Sequence, residues 1–149
     1  GIRNIDKGST EVVAEMIRDI TDADLFQIET VKEYPYNYHE CCDVAKEELN
    51  SNARPELKQY LNDISQYEVV YLCSPIWWIY MPNAMLSQLE KLDFTGKTVR
   101  VFTTHEGSGT GSIPSQVKRV CKGANVLDDA IAIRGADCKN ARSKVENWL

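Results

Sequence analysis

Two hydrophobic rhythms alternate along the chain. Over residues 10–20, Val13, Met16, Ile17 and Ile20 recur at helical spacing, and Ser9 or Thr10 stands where a side chain can cap the first turn. Residues 21–24 read as a turn, and Leu25, Phe26, Gln27, Ile28 and Glu29 as a short strand. Tyr34 and Pro35 open an irregular segment. Tyr38, Cys42, Ala45 and Leu49 then predict a helix over 38–49, and residues 50–55 a loop. Residues 68–73 are almost continuously apolar and β-branched, as in a strand buried on both faces. Pro82 can open the next helix, whose apolar face is Met85, Leu86, Leu89 and Leu92. A strand over 98–103 leads into a glycine-rich loop at 106–111. Ile113, Val117, Val120 and Cys121 mark another helix, and residues 130–133 another strand, with Val126 and Leu127 as a further β-like pair. Ala141, Val145, Trp148 and Leu149 mark a closing helix. Strands alternating with helices predict an α/β fold, a doubly wound parallel sheet with helices on both faces. One feature is unusual for such a fold: the pattern opens on a helix, not on a buried strand.

Composition narrows the function classes. The 149 residues suit one domain, spanning 1–149. A net charge of −5 argues against nucleic-acid binding, which rewards clustered lysine and arginine. No apolar run is long enough to cross a membrane, and residues 1–10 are too polar for the core of a signal peptide. The 5 cysteines are odd in number and form no C-x-x-C pair, so neither a disulfide framework nor a zinc site is suggested and a reducing, cytoplasmic compartment is expected. Cys41 and Cys42 read as adjacent helix residues, one of them facing the core.

In an open parallel sheet, ligands bind beyond the carboxyl ends of the strands, so the segments that follow the strands carry the candidate chemistry. After the strand at 68–73 come Ser74, Pro75, Ile76, Trp77, Trp78, Ile79 and Tyr80. Indoles in such a loop either pack over a neighbouring helix or stack on a flat ligand. After the strand at 98–103 come Thr104, His105, Glu106, Gly107, Ser108 and Gly109. Glycines there let backbone approach a ligand closely, though a surface turn uses the same residues. His105 can donate to a ligand carbonyl or act as an acid near neutral pH. Gly8, Ser9 and Thr10 open the first helix, whose free N–H groups and hydroxyls make an anion site as readily as an ordinary cap. There is no Walker A lysine, no nucleophile elbow and no metal-ligand spacing.

Taken together and in order, these segments resemble the flavodoxin family over nearly the whole chain. The most specific pair is Pro75-Ile76-Trp77-Trp78 followed by Thr104-His105-Glu106-Gly107-Ser108-Gly109. The stretches 23–29, 52–55, 67–70 and 94–97 add to the likeness. The resemblance implies an FMN-binding electron-transfer protein working with redox partner proteins, an electron carrier in preference to a stand-alone reductase. It places the FMN phosphate on Ser9 and Thr10. One wall of the flavin pocket falls on Ser74, Pro75, Ile76, Trp77 and Trp78, and another on Thr104, His105, Glu106, Gly107, Ser108 and Gly109. Negative charge near the flavin, from Glu106, Asp128 or Asp129, would lower its potential.

The sequence departs from the family pattern twice. Typical flavodoxins carry a small, flexible peptide facing flavin N5, where this chain is rich in proline and tryptophan. An NAD(P)H-dependent FMN or quinone oxidoreductase is therefore the alternative, and a flavodoxin-like binding module without FMN the third reading. Second, the family's first and central strand and the start of its phosphate loop are missing from the chain as given, and residues 1–7 look like an insertion within that loop. The domain is therefore expected to be N-terminally incomplete. The strand at 25–29 would then lack its partner.

Overall fold

In a computed structural model, residues 8–35 and 37–149 are described. The reading of residues 1–7 as an insertion lies outside them. The elements are α1 (Ser9–Thr21), α2 (Tyr38–Asn50), β1 (Val69–Pro75), α3 (Asn83–Leu89), β2 (Thr98–His105), α4 (Ile113–Val120), β3 (Asn125–Val126), β4 (Ile131–Arg134), a 3-10 helix (Gly135–Asn140) and α5 (Arg142–Trp148).

The sheet is open and parallel. β2 is its centre, with β1 on one edge and, on the other, β3 beside its start and β4 beside its end. Side chains alternate across it. Val70, Leu72, Val99 and Val101 face a core shared with Met81, Met85, Leu89, Ile113 and Val117. Tyr71, Cys73 and Phe102 face a second core with Val13, Ile17, Ile133 and Val145. The two faces are thus covered by α3 and α4 on one side and by α1 and α5 on the other. Phe102, Val99 and Val101 are fully buried, each stabilising the fold by roughly 1.5–3 kcal/mol.

Three expectations need correction. Residues 25–29 form no strand, and among the described residues no strand lies beside them to complete a ladder. Only the end of this stretch is paired: Val31 N–H donates to Glu56 O at 2.9 Å and Lys58 N–H to Glu29 O at 2.9 Å. Second, neither Ser9 nor Thr10 caps α1. Gly8 holds the N-cap position, and both hydroxyls bond elsewhere. Third, Asp128 and Asp129 precede β4, at the opposite end of the sheet from its carboxyl edge, and there pair with Lys118 (2.6 Å) and Arg100 (2.7 Å).

The irregular stretch 50–64 is held by buried side chains in place of a ladder. Gln88 brackets Leu61, accepting from its N–H at 2.8 Å and donating to its O at 2.7 Å. Asn83 Nδ2 donates to both Glu48 O and Ala53 O at 2.9 Å, tying the end of α2 to α3.

Candidate functional site

Beyond the carboxyl ends of the strands, three segments meet. The first is the start of α1. Thr10 Oγ1 lies 2.7 Å from Thr104 Oγ1, joining the helix to the last turn of β2. Ser9 Oγ donates to the carbonyl of Gly135, just past β4, at 3.4 Å. A Cβ at Gly135 would sit 3.3 Å from Ser9 Oγ and would strike the Glu106 carboxyl. Glu106 and Ser9 therefore converge on one glycine beside the helix N-terminus. That terminus favours an anion; Glu11 lies in its first turn, and the Glu106 carboxylate lies against Gly135 beside Ser9.

The second segment is the turn leaving β1. Ser74 is buried and its hydroxyl donates to Pro75 O at 2.7 Å. Pro75 pairs in register with Thr104, and Ile76 N–H donates to Thr104 O at 3.1 Å. The chain then reverses through Trp78 and Ile79, closed by Trp77 N–H to Tyr80 O at 2.8 Å and Tyr80 N–H to Trp77 O at 3.0 Å. Both central residues have left-handed backbone, with φ of 51° and 63°. A bulky or β-branched residue there costs of order 1–3 kcal/mol. Both side chains are about half exposed, at 45% and 48%.

Both tryptophans make contacts across the fold. Trp77 meets Tyr34 edge to face at 5.0 Å between ring centroids. Trp78 Nε1 donates to Cys42 O at 3.0 Å, and Lys46 Nζ lies 4.8 Å from its ring centroid. One side of the turn thus packs over α2. Tyr34 donates to Glu48 at 2.9 Å. Burial first and this bond second push the Tyr34 phenol well above its usual range, and burial raises the Glu48 carboxyl.

The third segment follows β2. His105 Nδ1 accepts the Gly107 N–H at 2.9 Å, which fixes the neutral tautomer and leaves Nε2–H as a donor. Gly107 and Gly109 take φ of 147° and 64°. Thr103 Oγ1 donates to Gly109 O at 3.2 Å, and Gly111 N–H to Ser108 O at 3.2 Å. Gly111 (φ 51°) is the seam between the loops: a Cβ there would lie 2.7 Å from Ile79 O, and Ser112 N–H donates to that oxygen at 2.8 Å.

Ser9, Thr10, Thr104 and Glu106 are thus gathered at α1, while Pro75 and Ile76 lie against the Thr104 end of β2. Trp77 and Trp78 form the outer turn, and His105, Gly107, Ser108 and Gly109 the loop beside it. Gly111, at the end of the glycine-rich loop, Tyr34, Lys46 and Gly135 complete the arrangement. Gly135, a glycine directly after a strand, is a sequence signal that the reading of the loops passes over. Among the described residues no cluster of side chains could hold a metal ion, all 5 cysteines are free, and no helix is long and apolar enough to cross a membrane.

The donor set suits FMN: hydroxyls and a helix terminus for a phosphate, exposed indole for a flat ring, and glycine backbone for its polar edge.

Comparison with known proteins agrees with the fold. A family described as Flavodoxin matches residues 5–149. Among solved structures, the chain is similar to a presumed flavoprotein from Bacteroides uniformis ATCC 8492, with 26% identity and a TM-score of 0.80, covering 93% of this chain and 88% of that one. It is also similar to one from Bacteroides eggerthii DSM 20697, with 24% identity, a TM-score of 0.81 and coverage of 97% and 91%. A flavoprotein from Lactobacillus acidophilus NCFM, solved in complex with FMN, matches at 21% identity and a TM-score of 0.64, with coverage of 94% and 89%. A search of curated proteins gives no match.

Proposed function

Because this chain belongs to the flavodoxin family, we propose that it binds FMN at the carboxyl edge of its sheet and carries electrons between redox proteins. The observation that carries this reading is the Thr10–Thr104 hydroxyl contact, which brings a helix N-terminus to the strand end where the tryptophan and glycine loops meet. FMN, when bound, supplies the redox centre. The α1 N–H groups with Ser9 and Thr10 hold its phosphate, Trp77 and Trp78 cover its ring against water, and the N–H groups of 107–109 with His105 Nε2–H meet its polar edge. The FMN complex of the Lactobacillus acidophilus relative supports the choice of cofactor. The net charge of −5 suits partners with basic docking surfaces, and the free thiols suit the reducing cytoplasm.

A second reading, an NAD(P)H-dependent reductase of quinone-like acceptors, is favoured by the turn itself. It is locked by reciprocal hydrogen bonds and has no glycine at either left-handed position.

Titration with FMN and with riboflavin, read by flavin fluorescence and absorbance, tests the assignment. FMN should saturate at one per chain. Thr10→Val should weaken FMN by about tenfold and leave riboflavin unchanged, since only FMN has the phosphate. Trp77→Ala and Trp78→Ala should weaken both. Absence of saturable FMN binding sinks the cofactor assignment. Equal loss for both ligands in Thr10→Val sinks the phosphate placement. NADPH oxidation with a quinone and no partner protein selects the second reading.

A further inference from the structure

The two tryptophans of the β1 turn are held by different means. Trp78 has a polar anchor, its Nε1–H on Cys42 O at 3.0 Å, and Trp148 at the far end of the fold is anchored in the same way on Asp129 O at 2.7 Å. The indole N–H of Trp77 has no such acceptor among the described residues. Its ring instead meets the ring of Tyr34, edge to face at 5.0 Å. Such a contact is directional, because the positive edge of one ring seeks the negative face of the other. Whatever orients Tyr34 therefore orients Trp77.

Tyr34 lies between α1 and α2, outside every helix and strand, so no ladder fixes it. Its phenol is pinned at the far end, where the hydroxyl donates to Glu48 Oε2 at 2.9 Å. Glu48 is itself placed from two sides. It belongs to the last turn of α2, and its carbonyl accepts from Asn83 Nδ2 at 2.9 Å, at the first residue of α3. Asn83 follows the turn closely in the chain. The contacts thus close a ring: from Trp77 along the backbone to Asn83, across to Glu48, and back through Tyr34.

Stability does not account for the Glu48 carboxylate. Burial raises its pKa by more than the Tyr34 bond and Lys32 lower it. An acid whose folded-state pKa lies above its unfolded one is a net cost to the fold at neutral pH, relieved as pH falls. An apolar side chain would fill the place without that cost. What the carboxylate adds is a directional acceptor for the phenol.

We infer that Tyr34 is the positioning residue of the indole wall: its ring, pinned at the hydroxyl by Glu48, sets the angle at which Trp77 faces the sheet edge. The inference rests on the flavin reading for what Trp77 meets, but not for how Trp77 is held. Glu48→Ala tests it without altering either ring, Tyr34→Phe removes the same bond from the other side, and Glu48→Gln keeps an acceptor. In the full chain labelled with fluorotryptophan and free of flavin, the Trp77 resonance, recognised by its absence from Trp77→Ala, should shift or broaden in Glu48→Ala and Tyr34→Phe and stay in place in Glu48→Gln. Riboflavin and FMN should both bind about three- to tenfold more weakly to Glu48→Ala and Tyr34→Phe, the worth of one aromatic contact, with binding kept in Glu48→Gln. Neither loss should add to that of Trp77→Ala, since the effect passes through Trp77. A Trp77 resonance unmoved in both variants overturns the inference, as do losses that add in the Trp77→Ala background. A moved resonance in a chain that binds no flavin upholds the positioning of Trp77 and sinks the flavin reading alone.

Discussion

The loops leaving β1 and β2 face one another across the same edge, yet they reach left-handed backbone by opposite means. The β2 loop uses glycine wherever φ is positive, at 107, 109 and 111. The β1 turn uses Trp78 and Ile79, two of the residues least suited to it. Glycine is the inexpensive solution when only the path of the chain matters. Strain accepted at a bulky residue indicates that the side chain itself is required there. The β2 loop therefore follows its path at little cost, while the β1 turn holds two half-exposed apolar side chains at some cost.

Substitution can break this comparison. The largest effect is expected at the seam. Gly111→Ala meets both a positive φ and the Ile79 carbonyl, and should destabilise the fold by about 2–4 kcal/mol in urea unfolding. An unchanged transition midpoint would show that the two loops are not locked together. Next, Ile79→Gly should stabilise the protein by about 1 kcal/mol while weakening flavin binding, the signature of strain kept for function. Loss of stability in that variant would mean that Ile79 is held by packing alone. The smallest effect belongs to Glu106→Gln. Removing a carboxylate beside the α1 terminus should tighten FMN by about three- to tenfold and leave riboflavin unchanged. Equal tightening of both would place Glu106 against the ring instead.

Much of the fold was legible because burial on both faces writes itself into sequence. The run around Leu72 reads as a strand buried on both faces and that around Val101 as a strand, and the two pair, β1 with β2; among the described residues it is β2, not β1, that lies at the centre. The stretch at 25–29 carries an equally good local pattern but forms no strand, since a ladder needs a neighbour that local alternation cannot reveal. Ser9 and Thr10 were correctly marked as polar groups at a helix start. Their partners, Gly135 and Thr104, lie far along the chain, so recruitment across the fold replaced capping. The left-handed turn at Trp78 left no trace, because nothing in a tryptophan or isoleucine announces positive φ. The aromatic and cationic contacts of Trp77 and Trp78 with Tyr34 and Lys46 are likewise non-local.

Among the described residues β2 is hydrogen-bonded along both edges and β1 along one. In the exchange of amide protons with solvent, β2 is then the slow spine of the described sheet. The glycine loop grows directly from that spine, so the backbone N–H groups it presents are anchored in the slowest-exchanging part of the sheet.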